Sequence, residues 1–155
     1  MREIHHYISG KEVTGTSGRF SDIFNPSDGT VQARVALATA SEMDIAVQSA
    51  VKAQPDWAAL NPQRRARVMF NFKSLLEANM NELAEMLSSE HGKVVADSKG
   101  DIQRGLEVIE FVCGIPHLLK GEYTEGAGPG IDIYSMRQPL GVVAGITQFN
   151  FPAMI

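Results

Sequence analysis

Asn150, in the run Phe149-Asn150-Phe151-Pro152, and Arg104, inside a helical pattern, are the two side chains whose chemistry stands out. An asparagine amide offers a fixed neutral dipole that suits an oxygen gaining negative charge, but before a Phe-Pro bend it also serves as an Asx-type turn residue. The planar fork of arginine grips both oxygens of a carboxylate, and it pairs as readily with Asp101 or Glu107 on its own helix. At about 100° per residue, Arg104 projects almost opposite the stripe Ile102, Leu106, Ile109 and Cys113. Val108 and Phe111 lie on the side of Arg104, so this helix is expected to be covered on both sides, with Arg104 facing a cleft.

Little else carries chemistry. The four histidines, at 5, 6, 91 and 117, form no metal-binding spacing, and His5 and His6 would point apart on a strand; no metal site is expected. There is no GxGxxG, no phosphate-binding loop and no HExxH, and Gly141 and Gly145 lack the dinucleotide spacing. A single cysteine, Cys113, excludes an internal disulfide framework and a cysteine-rich zinc site, fits a reducing compartment, and reads as a packing residue.

The net charge of −4 gives no field favouring nucleic acid or an anionic membrane, and the cluster Arg64, Arg65 and Arg67 reads as a solvated face with acidic neighbours. With 44% hydrophobic and 21% charged residues, a folded, soluble chain is expected. No apolar leader opens it and no stretch reaches the roughly 18 apolar residues of a membrane span, so a cytoplasmic location, or an organelle matrix after processing, is the expectation.

The elements that must position these residues read as follows. Tyr7-Ile8, Ser9-Gly10 and Lys11-Glu12-Val13 predict a hairpin, Asn25-Pro26-Ser27-Asp28-Gly29 a turn, and Val31, Ala33, Val35 and Leu37 a strand of period two. Ser41 with Asp44 predicts a capping box ahead of a helix carrying Met43, Val47, Ala50 and Val51. Asn61-Pro62 predicts a second helix start, with a break near Asn79 and a stop at Gly92. A further helix is expected from about Val94 to Cys113. Residues 121–130 read as a flexible connection and 131–137 as an exposed alternating strand. Leu140-Gly141-Val142-Val143-Ala144-Gly145-Ile146-Thr147 reads as a strand buried on both faces, in a βαβ unit cut short.

The segment from Arg137 to Pro152 closely resembles the strand and loop of the aldehyde dehydrogenase superfamily that ends in an aromatic-Asn-Phe-Pro tetrad. Phe24-Asn25-Pro26 with Gly29 looks like its early Asn-Pro turn, and Trp57, Arg64 and the helix from Val68 to Leu87 follow in the family's order. Phe149 to Met154 and the segment from Gly100 to Glu110 resemble the CoA-acylating methylmalonate-semialdehyde branch, where other branches commonly carry Trp at the position of Phe149.

The resemblance implies an α/β fold: the amino-terminal part of an NAD-binding domain at 1–120, an oligomerisation-strand segment at 121–138, and the start of the NAD-binding sheet at 139–155. It implies NAD as cofactor, CoA as co-substrate, a semialdehyde substrate and a homo-oligomer, dimer or tetramer, paired through 131–137. Asn150 matches the oxyanion-hole asparagine, Thr147 and Phe149 match loop positions lining the cofactor site, and Arg104 matches the arginine that holds the substrate carboxylate. Gln148 stands where the family usually has Pro, which returns a backbone N–H to the loop and frees its φ. The family's nucleophilic cysteine and nucleotide-binding Lys and Glu have no counterpart here, so the chain is expected to be an inactive fragment. Alternatives are a neighbouring semialdehyde dehydrogenase branch, or a short non-catalytic protein offering strand 131–137 to a partner.

Overall fold

The computed structural model describes residues 1–155. A β-rich opening comes first. Strand β1 (Arg2–Ile4) runs parallel to β5 (Val31–Ala36), and β4 (Phe20–Phe24) pairs with the other edge of β5 in antiparallel fashion, giving the order β1-β5-β4. Between β1 and β4, strands β2 (His6–Ile8) and β3 (Lys11–Val13) form the expected hairpin. Its turn places Ser9 and Gly10 at φ of 55° and 77°, the pair of positive values a tight two-residue hairpin requires.

The predicted Asn-Pro turn is also present: Gly29, at φ 75°, donates its N–H to the carbonyl of Asn25. In β5 the simple alternation breaks. Ala33 and Ala36 are buried and Leu37 is exposed. A register shift after Ile23 leaves Gln32 free of a ladder partner, and its amide donates to the carbonyls of Phe24 and Ser89, tying the sheet to the helices.

Five helices follow: α1 (Ala40–Ala59), α2 (Pro62–Ala78), α3 (Met80–His91), α4 (Val95–Cys113) and the single turn α5 (Ile115–Leu118). The capping box at the start of α1 is built by Thr39 and Glu42, two residues ahead of the expected Ser41 and Asp44. The reason is reach: the longer carboxylate closes on the Thr39 N–H at 2.7 Å and also takes the Thr16 N–H at 2.7 Å from the opening segment. Asn61 caps α2 through its side chain, the break falls at Asn79, and Gly92 ends α3 at φ 85°. The apolar core is where α3 and α4 meet: Ala84, Ile102 and Leu106, ringed by Leu76, Met80, Leu83 and Leu87. Cys113, at the end of α4, is also buried, as its register predicts.

Three expectations give way. Residues 121–130 are not a free connection: Tyr123–Gly128 is strand β6, paired antiparallel with β7 (Ile131–Tyr134), and Tyr123 donates its hydroxyl to Asp132 at 2.6 Å. The arginine cluster finds no acidic partner; Arg65 instead donates to the carbonyl of Ala58 at 3.1 Å, closing the α1–α2 corner. The run 140–147 forms no strand, because a strand is defined by a neighbour and none lies beside it. Leu140 is 94% and Ile146 100% exposed.

The apolar side chains of α1 behave alike. Met43, Ile45, Val47, Val51 and Trp57 are all exposed. In the whole chain 10 of 155 residues are buried, so the helical pattern reports faces that this segment by itself leaves uncovered. No helix is long and apolar enough to cross a membrane.

Candidate functional site

Helix α4 is the element on which the last residues of the chain come to rest. Gly92 turns the chain with its positive φ, so Lys93 folds back along the first turns of α4 and reaches Asp101 eight residues on. The side chain of Asp101 is 1% exposed, and both its oxygens are engaged. Oδ2 accepts from Lys93 Nζ at 2.9 Å, and Oδ1 accepts the backbone N–H of Met154 at 2.9 Å. Lys93 also lies 4.4 Å from the centroid of the Phe151 ring, a cation–π contact to the loop that carries Asn150.

One turn further, the missing side chain of Gly105 makes the approach possible, since a Cβ there would sit 2.7 Å from the carbonyl oxygen of Ala153. Beside this contact Met154 and Ala153 close one end of an apolar cavity of about 380 Å³ bounded by Phe72, Leu83, Ile102 and Val108.

Arg104 lies between Asp101 and Gly105 on the same helix, so the two residues that hold the terminal loop flank it. The chain's last residues therefore dock on the helix that bears Arg104, but no contact joins the Arg104 side chain to them. Arg104 does not enter an enclosed cleft: its side chain is 70% exposed and Nη1 lies 3.5 Å from Glu107. The apolar neighbours expected to be covered, Val108 and Phe111, are 54% and 66% exposed.

Asn150, Thr147 and Gln148 are exposed, and Phe149 is 89% exposed. Cys113 stands apart from the loop, at a cavity of about 900 Å³ lined also by Arg67, Lys73, Glu110, His117 and Lys120. That larger cavity touches neither Asn150 nor Arg104. Its Lys73 already has two carboxylates, Glu77 at 2.5 Å and Glu110 at 3.2 Å, whose hydrogen bonds raise its pKa above the ordinary lysine value.

Sequence reasoning missed Lys93 and Asp101. A signal was present: Ser98, Asp101, Ile102, Gly105 and Leu106 share the three-and-four spacing of the buried face, so Asp101 is a carboxylate set in an apolar register. Such a group needs a buried partner.

The chain belongs to the aldehyde dehydrogenase family, whose sequence profile matches residues 13–155. A malonate-semialdehyde dehydrogenase of Pseudomonas aeruginosa is 45% identical over 155 residues, all of this chain and 31% of its own length. The mitochondrial acylating methylmalonate-semialdehyde dehydrogenase of Arabidopsis thaliana is 45% identical over 98% of this chain and 25% of its own. A solved structure from Sinorhizobium meliloti, described as a methylmalonate-semialdehyde dehydrogenase complexed with NAD, shares 67% identity. It superposes with a TM-score of 0.96 over 99% of this chain and 31% of that one. The chain thus spans about a third of the length of the relatives it matches, and the α/β architecture is that of their amino-terminal part.

Proposed function

We propose that this chain works as the amino-terminal part of an NAD-dependent, CoA-acylating dehydrogenase of methylmalonate or malonate semialdehyde, converting semialdehyde, CoA and NAD to acyl-CoA, carbon dioxide and NADH. The observation that carries the proposal is the docking of the residues that follow Asn150 on α4, the helix that also bears Arg104: the Met154 N–H rests on Asp101 and Ala153 lies against Gly105. In this reading Asn150 is the amide donor and Arg104 the guanidinium, the pair that a substrate with a carbonyl at one end and a carboxylate at the other requires.

Asn150 donates its side-chain N–H to the carbonyl oxygen as that oxygen becomes negative, and Arg104 exchanges Glu107 for the substrate carboxylate. An exposed ion pair such as Arg104–Glu107 is worth only about 0–1 kcal/mol, so little opposes the exchange. Thr147 and the exposed ring of Phe149 supply one wall for a nicotinamide cofactor, which accepts hydride when bound. The chain encloses no cavity around these two residues, and no nucleophile stands near Asn150.

The segments 1–120, 121–138 and 139–155 serve in this reading as the amino-terminal part of the NAD-binding domain, an oligomerisation-strand segment and the start of the NAD-binding sheet, whose run 140–147 pairs only when a neighbouring strand lies beside it. The exposed edge of β7 supports a homo-oligomer assembled through 131–137, and the location assigned is the cytoplasm. The test is Arg104→Ala in the full-length dehydrogenase that carries this segment. KM for a carboxylate-bearing semialdehyde is expected to rise by roughly tenfold or more, with KM for propionaldehyde unchanged. Equal effects on both substrates would return Arg104 to a surface ion pair.

A further inference from the structure

We propose that Lys93 and Asp101 are positioning residues for the oxyanion donor: the buried Lys93–Asp101 pair sets the placement of the Phe149–Pro152 loop and through it the orientation of Asn150. The inference rests on the function proposed above. It uses geometry that function does not require.

Two contacts run from a single ion pair to the end of the chain, at residues 151 and 154. One carboxylate oxygen of Asp101 takes the Met154 N–H, the other takes Lys93 Nζ, and the same ammonium stands over the Phe151 ring. Asn150 is the residue next to Phe151 and makes no hydrogen bond of its own, and its neighbours Phe149 and Gln148 are exposed and lie in no regular element. Gln148 adds to the need, since a residue with free φ precedes the pair Phe149-Asn150.

Asp101 cannot be a simple stabiliser of α4, because it faces neither the N-terminal N–H groups nor a neighbour one turn away; its partners lie eight residues back and 53 residues on. With a side-chain exposure of 1% for Asp101 and 13% for Lys93, the pair is shielded from water, where such a contact is directional. Oxyanion stabilisation depends on donors placed in advance, and a misplacement of the order of 1 Å costs about 100-fold in rate. A loop held from one side of Asn150 by one ion pair is therefore open to loss of rate without loss of fold.

The experiment uses the full-length dehydrogenase that carries this segment, with Asp101→Asn, Lys93→Met, Lys93→Arg and the double variant Lys93→Met/Asp101→Asn. Single-turnover NADH formation, normalised to the fraction of active sites by burst amplitude, should fall roughly 10- to 100-fold in the first two, with the Kd for NAD within about twofold. Lys93→Arg should recover most of the rate, and the double variant should be no slower than the worse single one, because the two residues act as one unit. Hydrogen exchange across 149–154 should quicken in the slow variants and not in Lys93→Arg.

A purely structural role would lower the melting temperature and the active fraction while leaving the rate per active site unchanged; that outcome overturns the proposal, as do additive losses in the double variant. If the parent enzyme oxidises no semialdehyde, the functional reading fails, and the exchange experiment decides by itself. Unchanged protection of 149–154 in Asp101→Asn then overturns the positioning role.

Discussion

Residues 140–148 and residues 151–155 are comparably apolar, yet only the second stretch is fastened to the rest of the chain. Leu140, Val143 and Ile146 are at least 75% exposed, while Pro152 and Met154 are partly covered and the Met154 N–H is bonded to Asp101. Hydrophobicity does not separate the two. A partner does: α4 offers the second stretch a glycine gap, a buried carboxylate and a cation, and offers the first nothing. An apolar run states that burial is favourable, and a backbone acceptor or donor at the right distance decides whether it happens within the same segment.

The largest effect expected on this contrast comes from Gly105→Ala. Within a helix the change from Gly to Ala is ordinarily worth up to about 1 kcal/mol in favour of Ala. Here the new Cβ meets the backbone oxygen of Ala153 at 2.7 Å, and a backbone atom cannot rotate away as a side chain can. Crowding of this kind costs roughly 1–3 kcal/mol, so the net sign should reverse and the variant should be less stable by about 1–2 kcal/mol, read from urea unfolding. A stabilised variant would show that the terminal residues do not rest on α4.

A second, smaller effect sharpens the comparison from the other end of the chain, where Glu42 anchors the loop around Thr16 as Asp101 anchors the terminal loop. The backbone N–H of Thr39 and then that of Thr16 hold the carboxyl of Glu42 well below its ordinary value of 4.5, at about 2. A depressed carboxylate pKa contributes stability that is fully present above the unfolded-state value and is lost as pH falls through the folded-state value. The melting temperature should therefore drop as pH falls from about 4.5 towards 2, and Glu42→Gln should flatten that part of the profile while lowering stability at neutral pH. An unaltered slope in the variant would remove Glu42 as the anchor.

What was legible in the sequence follows the same division. Local signals worked wherever the physics is local: Asn61-Pro62 as a helix start, Gly92 as a stop, Ser9-Gly10 as a hairpin turn, and the spacing of Ile102, Leu106 and Cys113 as a buried face. Glu42 was passed over for Asp44 although Thr39 and Glu42 have the local capping-box spacing; only its second partner, Thr16, 26 residues away, lay beyond a local reading. Strand β6 escaped notice because glycine-rich residues pair only when β7 is already beside them. At the site, Asn150 and Arg104 were visible through resemblance, and the docking on α4 of the residues that follow Asn150 was not. It depends on Lys93, Asp101 and Gly105, whose types look ordinary until their positions in the helix register are set against the chain's last residues.

The smallest expected effect lies in the unfastened stretch, and its smallness is the point. Ile146 is fully exposed, so Ile146→Ser removes no buried area and no packing contact within this chain. The stability of the helical body should change by less than about 0.5 kcal/mol, the usual range for a surface substitution away from any anchoring contact. Self-association should fall, because the side chain belongs to a contiguous exposed apolar run with Leu140 and Val143, and such a run is what joins molecules that have no other reason to meet. Met154→Ser supplies the contrast, since it strips apolar surface from the wall of the cavity beside Ile102 and should destabilise the chain. Chemical unfolding and sedimentation velocity, run on both variants, separate the two outcomes. Should Ile146→Ser destabilise the chain as much as Met154→Ser does, the 140–148 run would be covered by the chain itself in solution, and the contrast between the two stretches would vanish.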